Sequence, residues 1–392
     1  MNCKPRRRRA RGRQKSGLSE AADDDHRLMA AALRLARRGL GLARPNPSVG
    51  CLIARAGPDG PLIVGQGVTS PGGRPHAEAN ALAQAGAAAR GATAYVTLEP
   101  CSHIGRAAPC SQALIDAGIS RVVCALEDPD PRTAGGGFSR MEAAGITITR
   151  DVMRAQAVIV HEGHLARLRF GRPHVTLKLA LSADGKLGIS GQRIAITNEV
   201  MNSVVHRRRS QSDGIVVGIG TVLSDDPLLD VRLPGLASRS PMPIVFDSRL
   251  RLPLGARLVA EARIRPLHVV TSLDAEQAKA DALAALGVHI QPIPPPWLSA
   301  GCINLDIALR ELGKLGLTTL FVEGGLTFAR ALLARDLVDT IILLRGQRVI
   351  GDTGIAALAP GPLDDIIAGQ RFERNEEELF AGDSATYYRR RR

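Results

Sequence analysis

The chain has 392 residues, 45% of them hydrophobic and 23% charged, which is enough for two domains each with its own core. No apolar run reaches the roughly 18 uncharged residues of a membrane span, and no signal-peptide core follows the basic start, so a cytoplasmic protein without membrane contact is expected. The formal charge of +13 does not by itself indicate nucleic acid: Lys4, Arg6 to Arg9, Arg11, Arg13 and Lys15 at one end and Arg389 to Arg392 at the other leave about one unit for the body between them.

In chain order, residues 1–22 read as a disordered basic tail. Leu28 to Leu40 reads as an amphipathic helix closed by Gly39 and Gly41. Pro45-Asn46-Pro47 follows, with Asn46 either a turn residue or a polar contact. Strands are expected at Val49 to Arg55 and Leu62 to Val68, joined by Gly57-Pro58-Asp59-Gly60. A helix from His76 to Ala89, a strand at Ala92 to Leu98 and a second helix near Cys110 come next. A strand at Arg121 to Leu126, a helix at Phe138 to Ala144 and a strand at Ile146 to Thr149 complete an alternation that predicts a sheet flanked by helices.

Within this half, His76-Ala77-Glu78 is followed by Pro100-Cys101 and by Cys110. One imidazole and two thiolates suit zinc and leave its fourth tetrahedral position open for water. Glu78, two residues from the histidine, suits a proton shuttle rather than a ligand. The pattern is that of zinc nucleobase deaminases, except that eight residues separate the cysteines instead of two. Two helix N-termini are expected to converge on the metal and favour its thiolates. His103, in the insert, is either loop filler or a substrate contact. Cys51 and Cys124 lie in apolar strands and read as buried small hydrophobes. The six cysteines have no disulfide framework spacing.

A helix at Val158 to Arg169 leads to Gly171-Arg172-Pro173, a linker position, giving domains at 23–170 and 174–385 and a basic tail at 386–392. His161 and His164, one turn apart with no third ligand, read as a solvated helix face. The second half predicts strands at His174 to Ser182, Gly214 to Gly220, Ile244 to Asp247, Leu267 to Ser272, Val288 to Gln291, Thr318 to Glu323 and Thr340 to Arg345. Helices are expected at Asn198 to Arg209, Ala275 to Leu286, Leu305 to Leu315 and Leu326 to Ala334, with Pro292 to Pro296 a rigid connector. Glu323-Gly324-Gly325 ends a strand and begins a helix, where bare amides suit a phosphate. Gly218-Ile219-Gly220-Thr221 has the same ambiguity and is not a G-x-G-x-x-G fingerprint. Lys178 is either a strand-end cation paired with a carboxylate or a polar group near a reacting carbon.

The stretch Thr97-Leu98-Glu99-Pro100-Cys101-Ser102-His103, with Gly105-Arg106 and Cys110, closely resembles the deaminase half of the bifunctional riboflavin-biosynthesis deaminase/reductases, with Ala107 and Ala108 as mild departures. Lys178 to Lys186, Gly218 to Pro227 with Arg232, and Val322 to Gly325 resemble the reductase half of the same family. The resemblance covers Asp24 to about Asp352. It implies an α/β protein with a cytidine-deaminase-like α/β/α domain and a dihydrofolate-reductase-like α/β domain. It also implies one zinc ion, NADPH, and small pyrimidine ribosyl phosphates as substrates, in a homo-oligomer that binds no nucleic acid. By the same resemblance Asn46 holds the pyrimidine edge. Arg209, Leu229, Arg232 and Glu323 hold the ribose-phosphate substrate, and Ala180, Thr221, Asp225, Ser248 and Gly325 contact NADPH. One departure is Arg193-Ile194-Ala195-Ile196-Thr197, where the family carries S-x-W-I-T. Two rival readings stay open: a nucleic-acid-editing deaminase served by the basic tail, and a zinc deaminase fused to a non-catalytic phosphate-binding module.

Overall fold

A computed structural model describes residues 17–103, 108–189, 194–295, 302–357, 369 and 371–391. Backbone contacts divide the chain into two compact units, one formed by the chain up to Leu35 with Val49–Val68 and Ala77–Ala157, the other by Ala36–Ser48, Thr69–His76 and Val158 onward.

The first half opens with α1 (Gly17–Gly39), which begins earlier than the apolar pattern predicts and takes in the end of the expected tail; residues 1–16 lie outside the described residues. Buried Asp25 of α1 accepts hydrogen bonds from the Tyr95 hydroxyl at 3.0 Å and from both Arg121 amino groups at 2.9 and 2.6 Å, which fastens the helix to the sheet. That sheet has the order β2-β1-β3-β4-β5, formed by β1 (Gly50–Arg55), β2 (Leu62–Val68), β3 (Thr93–Val96), β4 (Arg121–Cys124) and β5 (Thr147–Thr149). β1 is antiparallel to β2 and β3, while β3, β4 and β5 are parallel. Its helices are α2 (Ala77–Ala85), α3 (Cys110–Asp116) and α4 (Gly136–Ala143). Gly67 of β2 lets α2 lie against the sheet, since a Cβ there would fall 2.1 Å from the Ala77 carbonyl oxygen. Cys51 and Cys124 are fully buried as expected, and burial pushes both thiols well above their ordinary pKa.

The helix expected over Val158 to Arg169 is two, α5 (Arg154–Val160) and α6 (Glu162–Phe170), broken at His161. This corrects the reading of His161 as solvated: at the junction it turns inward and is 2% exposed, while His164 is half-buried. Gly171, in the left-handed region at φ 67°, caps α6 at the expected linker position.

The rest of this unit comprises β6 (His174–Leu181), β7 (Lys186–Ile189), α7 (Glu199–Arg209), β8 (Gly214–Gly218), α8 (Ile219–Asp225), β9 (Met242–Phe246), α9 (Arg257–Ala260) and β10 (His268–Ser272). It continues through α10 (Gln277–Ala285), β11 (His289–Ile293), α11 (Leu305–Lys314), β12 (Thr319–Glu323), α12 (Leu326–Ala334), β13 (Thr340–Arg345), β14 (Gly354–Ala356), β15 (Phe372–Phe380) and β16 (Asp383–Arg390). Nine strands form one sheet in the order β11-β10-β9-β8-β12-β6-β13-β16-β15, parallel from β11 to β13 and antiparallel in the last hairpin; β7 and β14 pair separately. The apolar side chains of β6, Val175, Leu177, Leu179 and Leu181, are all buried in a core they share with α11 and α12.

Three expectations are corrected. β8 stops at Gly218 and the chain turns into α8, where a strand to Gly220 was expected. β11 runs through Pro292, tolerated because β11 is an edge strand and needs no donor on its open side. Residues 386–390, expected as basic tail, lie in β16, where Ala385 and Tyr387 face the core; Arg389 reaches Glu162 at 3.3 Å and Arg390 donates to the Val338 carbonyl at 2.7 Å. Strand β12 lies between β8 and β6 although it follows both in sequence, so neighbouring connections diverge at its carboxyl end. Parallel sheets bind ligands in the crevice outside such a switch point.

Candidate metal centre and reductase site

His76 immediately precedes α2, Cys101 lies in the loop after β3, and Cys110 is the first residue of α3. Their ligand atoms all lie within 4.8 Å of one another, the only such group among the described residues. The Cys110 amide donates to Cys101 Sγ at 3.3 Å, and the Ser111 amide and hydroxyl bind the Cys101 carbonyl at 3.2 and 2.9 Å, so the start of α3 fixes the first cysteine. Glu78, 3% exposed on the first turn of α2, reaches Cys110. Without a cation this set is in conflict: the hydrogen bond to Cys101, then burial, then the Glu78 charge push the Cys110 thiol far above its ordinary pKa. A divalent ion removes the conflict, and a donor set of one nitrogen and two sulfurs fits zinc.

Asn46 Nδ2 donates to the Gly73 carbonyl at 2.8 Å and lies 3.4 Å from His76 Nε2. Gly73, at φ 88°, permits this approach, since a Cβ would come within 2.9 Å of the Asn46 side chain. Sequence reasoning assigned no role to Glu99, which is buried and accepts from the backbone amides of Gly137 (2.9 Å), Gly135 (3.0 Å), Phe138 (3.2 Å) and Asp128 (3.3 Å). Burial raises its pKa despite these four donors. Glu99 thereby staples the Pro100-Cys101 loop to the start of α4; the available signal was a carboxylate next to a metal-ligand motif. His103 Nδ1 lies 3.4 Å from Thr133 Oγ1, and Ile104 to Ala107 lie outside the described residues.

In the second unit, Glu323, the last residue of β12, stands abreast of Lys178, midway along β6, in the parallel ladder. Lys178 Nζ is 3.8 Å from Glu323 Oε2, so of its two readings the carboxylate pairing is present. Arg209 of α7 clamps the same carboxylate with bonds of 2.5 and 3.0 Å and donates to the Asp230 carbonyl at 2.8 Å. Burial would raise Glu323, but the Arg209 and Lys178 charges outweigh it and hold the carboxyl below its usual range.

Gly324 and Gly325, both at φ 77°, open α12 with bare backbone. A Cβ on Gly324 would meet Thr221 Oγ1 at 3.0 Å, so Thr221 and the glycine turn form one cradle. That cradle, at a helix N-terminus, fits a phosphate of NADPH. Ala180 shares the Lys178 face of β6, Ser248 follows β9 half-buried, and Asp225 is exposed at the end of α8. Leu229 is buried, with φ 53°, and its carbonyl accepts from Arg265 at 2.9 Å. Arg232 is exposed, with its Nε 3.6 Å from Asp230. In the departing segment Arg193 lies outside the described residues, while the Ile196 carbonyl packs so closely on Gly346 that a Cβ there would lie 1.9 Å away.

Among the described residues, no helix is long and apolar enough to cross a membrane. A family model described as the cytidine and deoxycytidylate deaminase zinc-binding region matches residues 22–126, and one described as the RibD C-terminal domain matches residues 173–365. The riboflavin biosynthesis protein RibD of Escherichia coli (strain K12) is 38% identical over 360 residues, spanning 90% of this chain and 95% of that one. Among solved structures, Acinetobacter baumannii RibD, form 1, matches with a TM-score of 0.80 and 33% identity, covering 95% of this chain and all of that one. The diaminohydroxyphosphoribosylaminopyrimidine deaminase/5-amino-6-(5-phosphoribosylamino)uracil reductase of Thermotoga maritima matches with a TM-score of 0.80 and 29% identity, covering 94% and 99%. With the metal cluster in one matched region, the glycine cradle in the other and relatives aligned across both, the chain belongs to the RibD family, the bifunctional zinc-dependent deaminases and NADPH-dependent reductases of riboflavin biosynthesis.

Proposed function

We propose that the two sites act in succession on one small molecule. The domain at 23–170 hydrolyses the exocyclic 2-amino group of 2,5-diamino-6-(5-phosphoribosylamino)pyrimidin-4(3H)-one. The domain at 174–385 reduces the ribosyl group of the resulting 5-amino-6-(5-phosphoribosylamino)uracil to ribityl. The observation that carries this reading is the convergence of His76, Cys101 and Cys110 with the buried carboxylate of Glu78 beside them.

In the first step His76, Cys101 and Cys110 would hold zinc, whose Lewis acidity makes a water nucleophilic near neutral pH. Glu78 takes the proton of that water as its oxygen bonds to the ring carbon, and returns it to the nitrogen, which leaves as ammonia. Asn46, beside His76, donates to the pyrimidine edge.

In the second step Ala180, Thr221, Asp225, Ser248 and Gly325 bind NADPH, which supplies the hydride. C1′ accepts the hydride in the ring-opened, imine form of the sugar, and the nitrogen that loses the C=N π bond takes a proton. Lys178, held by Glu323, is the proton source. Arg232 takes the phosphate, because its guanidinium is exposed whereas that of Arg209 is engaged by Glu323; Arg209, Leu229 and Glu323 frame the sugar. We place this enzyme in the cytoplasm as a homo-oligomer.

Purified full-length protein given the diamino substrate is expected to release ammonia without NADPH, and on addition of NADPH to oxidise one equivalent per ammonia. Absence of ammonia would overturn the first assignment. Absence of NADPH oxidation with the deaminated compound supplied directly would overturn the second.

A further inference from the structure

The loop that carries Arg232 is tied to α7 at two positions one helical turn apart. Arg209 Nη1 donates to the Asp230 carbonyl at 2.8 Å, and the Arg232 backbone N–H donates to His206 Nδ1 at 3.2 Å. Between them the Val231 N–H donates to Ser240 Oγ at 2.9 Å, and the Val231 side chain is buried. The backbone of the loop is therefore held at three successive residues, and His206 holds the one whose side chain faces solvent.

An imidazole nitrogen that accepts a main-chain hydrogen bond carries no proton; protonating it sets two donors against each other. The charged groups facing His206 are Arg209 on its own helix, Arg232 and Asp230 on the loop, and Glu323 on β12. Burial first, then the Arg209 and Arg232 charges, hold its pKa below the ordinary histidine value, against the pull of Glu323 and Asp230.

We propose that His206 is a proton-sensitive latch for the reductase substrate: neutral, it fixes the Arg232 loop for the ribose-phosphate; protonated, it releases the loop and phosphate binding weakens. This rests on the reading that Arg232 holds the substrate's phosphate. His206 is a positioning residue, because it acts through the Arg232 backbone. The lowered pKa sets the sign: the native site resists protonation, so the latch is closed at neutral pH and opens as pH falls through the His206 pKa.

The test is calorimetric binding of ribose 5-phosphate to full-length protein at about pH 7.5 and in steps down to about pH 4, a window carried below an ordinary histidine because the His206 pKa is lowered. The phosphate's own second ionisation, near about 6, affects every variant alike. His206→Asn keeps an acceptor oxygen close to the place of Nδ1 and does not titrate. It is expected to bind as wild type at the higher pH and to lose the additional acid weakening of wild type. His206→Ala is expected to bind about tenfold more weakly at the higher pH, the loss of one hydrogen bond. The proposal is overturned if His206→Ala binds as wild type, or if His206→Asn weakens in acid as wild type does. Should His206→Ala fail to fold, the His206→Asn comparison decides alone. Undiminished binding by Arg232→Ala would instead overturn the phosphate reading on which the latch depends.

Discussion

At the scale of single residues, the candidate metal centre sets three ligand side chains, His76, Cys101 and Cys110, beside one buried carboxylate, Glu78. Glu78 is buried next to Cys110 and two residues from His76, close enough to serve the metal-bound site without supplying a ligand atom to the His76, Cys101 and Cys110 group. Glu78→Gln keeps the volume and removes the base. Deamination is expected to fall by about 10² to 10⁴, the usual worth of general acid–base catalysis, while zinc stays near about one per chain. Ammonia release and metal analysis on the same preparation check this; loss of zinc would make Glu78 a ligand. The side chains of this centre were legible because each chemical role demands one residue type at a short spacing. Glu99 was not, because its partners are four backbone amides contributed by residues 29 to 39 positions away. Arg209 and Glu323 were each read as substrate contacts, and only the ladder and α7 bring them onto one another.

At the scale of elements, α7 carries both Arg209 and His206, so its start sets the reductase site. Asn198 caps it: the side chain accepts from the Met201 amide at 2.8 Å and donates to the Phe380 carbonyl at 2.9 Å. Asn198→Ala is expected to lower the unfolding free energy by about 1 to 2 kcal/mol, and Asn198→Asp, which retains the cap acceptor, by less. Denaturant unfolding of the two variants measures the difference. Periodicity located elements with strong patterns: β2, α12 and β13 have the bounds that apolar spacing predicts. It missed the β15–β16 hairpin, because Phe372–Phe380 is dominated by exposed charged residues and β16 ends in arginines. The pairing of β16 with β13, far upstream, makes that stretch a strand, and no local pattern announces it. It also extended β8 too far, because Ile219-Gly220-Thr221-Val222 has strand-like composition while the chain turns to form α8.

At the scale of the whole molecule, two chemistries share one chain without sharing a cofactor. Removing zinc with a chelator is expected to abolish ammonia release and to leave NADPH oxidation on supplied deaminated compound within about twofold, with readdition of zinc restoring the first activity. Spectrophotometric rates before and after chelation decide it. If both activities fell together, the reductase would depend on the metal. The sequence by itself determined the family and the α/β class and pointed to His76, Glu78, Cys101 and Cys110 and to the Gly324-Gly325 turn, because these rest on residue types in a recognisable order. The tertiary structure alone decided the rest. It buried His161 and Leu229, engaged Glu323 with both Arg209 and Lys178, and set His206 against the backbone of the Arg232 loop. The physical reason is that a side chain's partner is set by strand order and register. β12 meets β6 across more than a hundred residues of chain, and Glu323 and Lys178 pair only once that ladder has formed.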